Sequence, residues 1–164
     1  MGYPNYEINK SFKENLFDAF GKSRSSNQSY LNEIVDALES NDLDTVIDNL
    51  KQIFLNIDYD VKISKEKHYQ SIMYLIFQLL GYQISMEYKT NKGRINAVIQ
   101  TKDSIYIFEF KVDKTAQEAL NQIKNKSYYE RFLVTEKTIL LVGINFSSEL
   151  RNIDDYIPEQ VVTT

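Results

Sequence analysis

The sequence predicts a mixed α/β domain, with elements in the order α, β, β, β, α, β, preceded by an N-terminal helical segment. Three observations carry that prediction. Thr138-Ile139-Leu140-Leu141-Val142-Gly143-Ile144 is a continuous apolar run, as expected of a strand covered on both faces. Ser104 to Val112 is rich in aromatic and β-branched residues and is bounded by polar turns, which reads as a second strand. Between the two, Thr115-Ala116-Gln117-Glu118 has the form of a capping box opening a helix over 115–130. Strand, helix and strand then form a βαβ unit, expected to be right-handed.

The elements follow in order along the chain. Phe12, Leu16, Phe17 and Phe20 recur at helical spacing, with Gly21 able to end that helix. A polar connection from Lys22 to Ser29 leads to a second stripe, Leu31, Ile34, Val35 and Leu38. Asn41 or Asp42 can cap a third helix whose inner face is Val46, Ile47, Leu50, Ile53 and Phe54. Residues 1–58 are therefore expected to form a helical subdomain, and 59–164 the α/β domain. In the latter, Ser64 can cap a helix ending at Leu80, with Gly81 as its left-handed C-terminal residue. This helix is apolar nearly all round after Ile72, so deep burial is expected. Residues 83–89 and Arg94 to Gln100 read as strands, the second joined to Ser104–Val112 by a tight turn near Lys102-Asp103. On the helix over 115–130, Ala116, Ala119, Leu120, Ile123 and Ser127 give a small-residue face suited to lying on a sheet.

Composition narrows the function classes. With 164 residues, 43% hydrophobic and 26% charged, the chain has the make-up of a globular protein with one core. It has no cysteine, which excludes disulfides, thiol nucleophiles and cysteine-ligated zinc. The first residues lack a basic and then apolar signal pattern, and the apolar stretch from Ile72 to Leu80 is too short to span a bilayer. A cytoplasmic protein without membrane contact is the expectation. The net charge of −4 is unevenly spread: residues 1–61 hold five basic and eleven acidic side chains, whereas 62–164 hold fourteen and twelve. A polyanion would therefore meet the second part.

The segment that carries chemistry is Ile107-Phe108-Glu109-Phe110-Lys111-Val112. Alternate residues of a strand share a face, so Glu109 and Lys111 point one way, with Phe108 and Phe110 opposite. One reading is the solvated face of an edge strand. The other is a site, and the preceding hairpin bears on the choice. A turn of two or four residues sets Asn96 opposite Glu109, whereas a turn of three moves Asn96 to the other face. With the even turn, two oxygen donors stand beside a lysine, a set suited to a divalent metal and a water-orienting group.

At these residues the sequence resembles a known family. Gly93-Arg94-Ile95-Asn96 followed by Glu109-Phe110-Lys111 looks like the G-R-x-D … E-x-K core of PD-(D/E)XK nucleases, whose fold is a restriction-endonuclease-like mixed sheet. Tyr3-Pro4-Asn5-Tyr6-Glu7-Ile8, Leu79-Leu80-Gly81-Tyr82, Glu118-Ala119-Leu120-Asn121-Gln122-Ile123 and Val142-Gly143-Ile144-Asn145-Phe146 resemble, more closely, a C-terminal nuclease-like domain of prokaryotic proteins. In those proteins an AAA-ATPase-like domain forms the N-terminal part. The resemblance implies a Mg2+-dependent nuclease acting on nucleic acid, with DNA the expected substrate. It implies that Glu109 and the carbonyl of Phe110 hold the metal, and that Lys111 orients the attacking water. Glu66 matches an acidic residue of the helix before the sheet; an acid favoured by the helix dipole is the alternative. Gln122 matches a polar residue that faces the site; a solvated helix residue is its alternative.

Two positions depart from the pattern. Asn96 stands where the family has its metal-binding Asp, which removes a full charge from a site of few ligands. Gln70 stands where a His is expected after Glu66. The departures imply either a degenerate fold that does not cut, or an enzyme in which Glu66 or water replaces the missing ligand. The rival from a different class is a non-catalytic module that binds nucleic acid or a protein partner. Lys62, Lys65, Lys67, Lys89, Lys92, Arg94 and Lys114 either contact phosphates around the site or are ordinary surface lysines and arginines. The one histidine, His68, and the isolated Gly93 make neither a triad nor a phosphate loop.

Overall fold

The computed structural model describes residues 24–56, 65–81, 84–89, 94–125 and 128–162. The helix expected around Phe12 to Phe20, the Ser64 cap, Gly93 and Ser127 lie outside them. Among the described residues three helices come first: α1 (Arg24–Glu39), α2 (Leu43–Leu55) and α3 (Lys65–Leu79). Strands β1 (Ile84–Lys89), β2 (Arg94–Gln100) and β3 (Ser104–Val112) follow. Helix α4 (Ala116–Asn125) and a 3-10 turn at Tyr128–Phe132 lead to β4 (Thr138–Ser147) and β5 (Asn152–Gln160).

The α1–α2 turn shows how local chemistry sets the path. Asn41 adopts φ of 59°, a left-handed conformation that Asn tolerates after a helix end. The Asp42 N–H reaches back to the Ala37 carbonyl at 2.8 Å, closing α1. Asp42 then caps α2, its carboxylate accepting from the Thr45 N–H and the Thr45 hydroxyl. Of the two caps the sequence offers, Asn41 ends one helix and Asp42 begins the next. At the end of α3, Gly81 has φ of 82°, as expected of a residue terminating that helix.

The five strands lie in the order β1-β2-β3-β4-β5. All neighbours are antiparallel except β3 and β4, which are parallel because α4 connects them as a crossover. The hairpin between β2 and β3 turns at Lys102-Asp103. The Thr101 N–H donates to the Ser104 carbonyl at 2.9 Å, and the Ser104 N–H donates to the Thr101 hydroxyl at 3.0 Å.

Two expectations are corrected. The helix expected over 115–130 is described from Ala116 to Asn125, and Tyr128–Phe132 form a 3-10 turn instead, which sets Tyr129 and Phe132 against the apolar layer under α4. Strand β5, absent from the expected order, forms the far edge of the sheet. It carries Pro158, which an edge strand accommodates, and pairs with β4 from Asn152 to Gln160.

Each face of the sheet has its own core. On one, Tyr106, Phe108 and Phe110 of β3 and Val142, Ile144 and Phe146 of β4 join the apolar stripes of α1, α2 and α3 in one cluster. The helices of the N-terminal segment thus bury their apolar residues in the same layer as α3. On the other face, Val98, Ile105, Ile107, Ile139 and Leu141 pack under Leu120 and Ile123 of α4.

Candidate active site on the α4 face

The α4 face changes character along the strands. Ile105 and Ile107 of β3 lie in the core under α4, and Glu109 and Lys111, two and four residues further, continue on the same side. In β4 the sequence Ile139, Leu141, Gly143, Asn145 makes the same change. The polar half therefore lies toward the carboxyl ends of the parallel pair, where open α/β sheets commonly place their ligands.

Register sets the polar residues side by side. Glu109 pairs with Asn96 of β2 on one flank and with Gly143 of β4 on the other. Lys111 pairs with Asn145. The β2–β3 ladder runs from Gln100↔Ile105 to Asn96↔Glu109, whereas β3 continues beside β4 as far as Val112↔Phe146. The two ladders thus part company at Glu109. Glu109 is only 1% exposed, which for a carboxylate in an apolar strand calls for a specific reason. Lys111 is half-buried.

Helix α4 roofs this face closely. A Cβ placed on Gly143 would stand 2.4 Å from the Ala116 carbonyl oxygen and 2.6 Å from the Leu120 nitrogen, so only glycine allows the approach. The helix begins with the expected capping box: the Glu118 N–H donates to the Thr115 hydroxyl, and the Thr115 N–H donates to the Glu118 carboxylate. Lys124 reaches Glu159 of β5 at 3.1 Å, which turns that flank of the helix toward β5. Gln122, two residues earlier and about 200° away around the helix, lies on the opposite flank, toward β3 and β2. Its Oε1 is buried and has no hydrogen-bond partner among the described residues.

The expected site residues are thus placed as follows. Glu109 and Lys111 share a face, Asn96 stands opposite Glu109 in register, and Gln122 is on the helix above them. The Phe110 side chain is in the core of the other face, leaving its backbone as the only part available to a metal. Glu66 lies in the first turn of α3, which packs on that other face. Tyr69 of α3 stacks on Phe146 at 4.8 Å, and its hydroxyl donates to the Ser147 carbonyl at 3.4 Å. That places the start of α3 at the same end of the sheet as Lys111, in the opposite layer. Burial, together with the nearby Asp113 carboxylate and against the counter-pull of Arg151, raises the Tyr69 hydroxyl above the usual tyrosine range. The side chains of Glu66, His68, Gln70, Lys65, Lys67, Lys89, Arg94 and Asn96, and all of Lys62 and Lys92, lie outside the described residues. Lys114 is exposed.

The donor types that the sequence puts at the expected positions are all oxygen: the Glu109 carboxylate, the backbone of Phe110 and the amide of Asn96. Such a set fits a hard cation, and the orphaned Gln122 oxygen fits a hydrated one. The fit is short in charge, since no group of three or more His, Cys, Asp or Glu occurs among the described residues. Asn145, within the resembling segment Val142 to Phe146, has no role assigned by the sequence. An amide inside an apolar strand is the signal that could have marked it.

Comparison with known proteins agrees with this architecture. The chain is 28% identical over 168 residues to the "Uncharacterized protein in vnfD 5'region" of Azotobacter chroococcum mcd 1. The match covers 98% of this chain and 33% of that protein, so the chain spans about a third of the length of the curated relative it matches. No helix among the described residues is long and apolar enough to cross a membrane. A family profile of the PD-(D/E)XK nuclease superfamily matches residues 64–156, which run from the start of α3 into β5 and include Asn96, Glu109 and Lys111. The chain belongs to the PD-(D/E)XK nuclease superfamily.

Proposed function

We propose that the chain is a metal-dependent phosphodiesterase domain acting on nucleic acid, with DNA the first substrate to test, and that Asn96 attenuates it. The observation that carries this reading is the placement of Glu109 and Lys111 on one face of β3, with Glu109 1% exposed and residue 96 directly opposite in register. A divalent cation such as Mg2+, held by Glu109, the Phe110 carbonyl and the Asn96 amide, would supply Lewis-acid polarisation of the phosphodiester.

The chain's own residues do the rest. Lys111 orients the attacking water and steadies the charge that develops on the phosphoryl oxygens. The new O–P bond forms as the bond to the leaving sugar oxygen breaks, the attacking water losing its proton to solvent and the leaving oxygen taking one from it. The Gln122 carbonyl oxygen accepts a hydrogen bond from a water in the site. Glu66, from the start of α3, would add a carboxylate at the rim and partly offset the charge lost at position 96. The ATPase-like region implied by the resemblance would lie in sequence outside these 164 residues.

A second reading, binding without cleavage to nucleic acid or a protein partner, is favoured by the amide at position 96 in place of a carboxylate. A supercoiled-plasmid nicking assay with Mg2+ or Mn2+ separates the two. The expected pattern is weak or no cleavage by the natural chain, clear cleavage by Asn96→Asp, and none after a further Lys111→Ala. Silence from all three would sink the enzyme reading. Salt-dependent DNA binding that disappears on charge reversal at Lys92 and Arg94 would then establish the binding module.

A further inference from the structure

Beyond Gly143, β4 buries a carboxamide. Asn145 is 2% exposed in the run Val142-Gly143-Ile144-Asn145-Phe146, a position at which an unsatisfied amide is costly. Both of its ends are used. Its Oδ1 accepts from the Lys114 N–H at 3.0 Å, and its Nδ2 donates to Asp154 Oδ2 at 3.3 Å. Lys114 belongs to the short connection between β3 and α4, just before the Thr115 cap.

The residue before it is fastened as well. Asp113, at φ of 55°, donates its N–H to the Phe146 carbonyl at 2.8 Å. Its carboxylate accepts from the Ser148 N–H at 2.9 Å and the Ser148 hydroxyl at 2.5 Å. The partner of Asn145 on β5 comes from an irregularity. Asn145 pairs with Asp155 and Phe146 with Ile153, so Asp154 is an extra, bulged residue. Bulges beside functional sites commonly re-aim a side chain, and this one turns the Asp154 carboxylate to the Asn145 amide.

Lys111 is the register partner of Asn145 and lies on the same face. We infer that Asn145, oriented by Asp154 of the β5 bulge, is a positioning residue for Lys111 and for the first turn of α4. This inference rests on the reading of Lys111 as the water-orienting residue. The turn that begins two residues after Lys111 is tied to β4 and the residue after it at two successive positions, Asp113 through its N–H and its carboxylate and Lys114 through Asn145. Releasing the second tie lets the end of β3 and the start of α4 move relative to β4, and with them the Lys111 ammonium.

The test uses the 164-residue chain carrying Asn96→Asp, with two readouts: steady-state plasmid cleavage, and the NMR signal of Lys111 after reductive 13C-methylation, assigned by its loss in Lys111→Arg. Asn145→Leu should lower kcat about tenfold or more while KM stays within about twofold, since a small misplacement of a reacting group costs that much. It should also move the Lys111 signal. Asp154→Ala should do the same to a smaller extent without altering the β4 core, which covers the case in which Asn145→Leu does not fold. Asp154→Asn, which keeps an acceptor oxygen, should recover most of what Asp154→Ala loses. A fall in melting temperature with kcat and the Lys111 signal unchanged in both Asn145→Leu and Asp154→Ala would overturn the inference. If the Asn96→Asp chain cuts nothing, the nuclease reading fails on its own. The Lys111 signal then decides the positioning role: movement supports it and constancy overturns it.

Discussion

The two faces of the sheet divide the work of the molecule. On the face covered by α1, α2 and α3, β3 presents Tyr106, Phe108 and Phe110, and β4 presents Val142, Ile144 and Phe146. Aromatic rings run through that layer without a break: Phe108 lies 5.4 Å from Phe77, and Phe146 lies 5.4 Å from Phe54 and 4.8 Å from Tyr69. The α4 face is apolar toward the amino ends of β3 and β4 and polar toward their carboxyl ends. A strand with one uniformly apolar side has its register fixed by that side alone, because a slip by one residue would expose every ring. The opposite side is then free to hold residues that cost stability. The difference between the faces explains how β3 carries Glu109 and Lys111 and remains a central strand.

Removing weight from the aromatic face gives the largest expected effect. Phe108→Ala, at a fully buried position in contact with Phe77, Tyr106 and Phe110, should cost about 3–5 kcal/mol in urea unfolding. Lys111→Ala on the other face should leave the unfolding midpoint nearly unchanged. In the Asn96→Asp chain it should lower cleavage by about 10²–10³-fold in a single-turnover assay. Comparable stability losses for the two variants would break the division of labour. Gly143→Ala sharpens the comparison: the added methyl must displace the start of α4, at a cost of about 1–3 kcal/mol. Cleavage in the same background should fall with it, because α4 roofs the site.

Tyr106 gives the smallest expected effect. Its hydroxyl lies 2.7 Å from the Leu38 carbonyl and 2.8 Å from Asn41 Oδ1, an acceptor that also receives the Ser104 hydroxyl. Tyr106→Phe should cost about 1 kcal/mol. Burial, reinforced by the Glu39 carboxylate, pushes the Tyr106 hydroxyl up to about 12 from the usual 10.0. The folded chain holds this proton more tightly than the unfolded one, so the contribution is whole below pH 10 and is lost as pH rises toward 12. Unfolding free energy should therefore fall across that window in the natural chain and fall less steeply in Tyr106→Phe.

Much of this was legible in the sequence because its signals are local. Lys102-Asp103 marks a turn, whose even length, left open by the sequence, sets Asn96 against Glu109. Thr115 and Glu118 declare a helix start that the structure contains. The parts that were not legible depend on tertiary context. In β5 the bulge at Asp154 puts Ile153 and Tyr156, three residues apart, on the same apolar layer, so the strand shows no period of two. The 3-10 turn at Tyr128–Phe132 packs Tyr129 and Phe132 against the apolar layer under α4, a contact that exists only in the fold. Asn145 follows the apolar run that ends at Ile144, and its partners, Lys114 and Asp154, arrive only with the fold. The face of Glu109 was readable, but its burial required knowing that α4 lies across Gly143.

We propose that the polar half of the α4 face is a cation site one charge short at position 96. Mn2+ affinity measured by isothermal titration calorimetry tests it most directly, in the natural chain, in Asn96→Asp and in Asn96→Asp with Glu109→Gln. Binding should tighten about tenfold or more in Asn96→Asp, since ligand charge count tunes such sites, and should be abolished by the added Glu109→Gln. Equal affinity in the natural chain and Asn96→Asp, or binding that survives the loss of the Glu109 carboxylate, would contradict it.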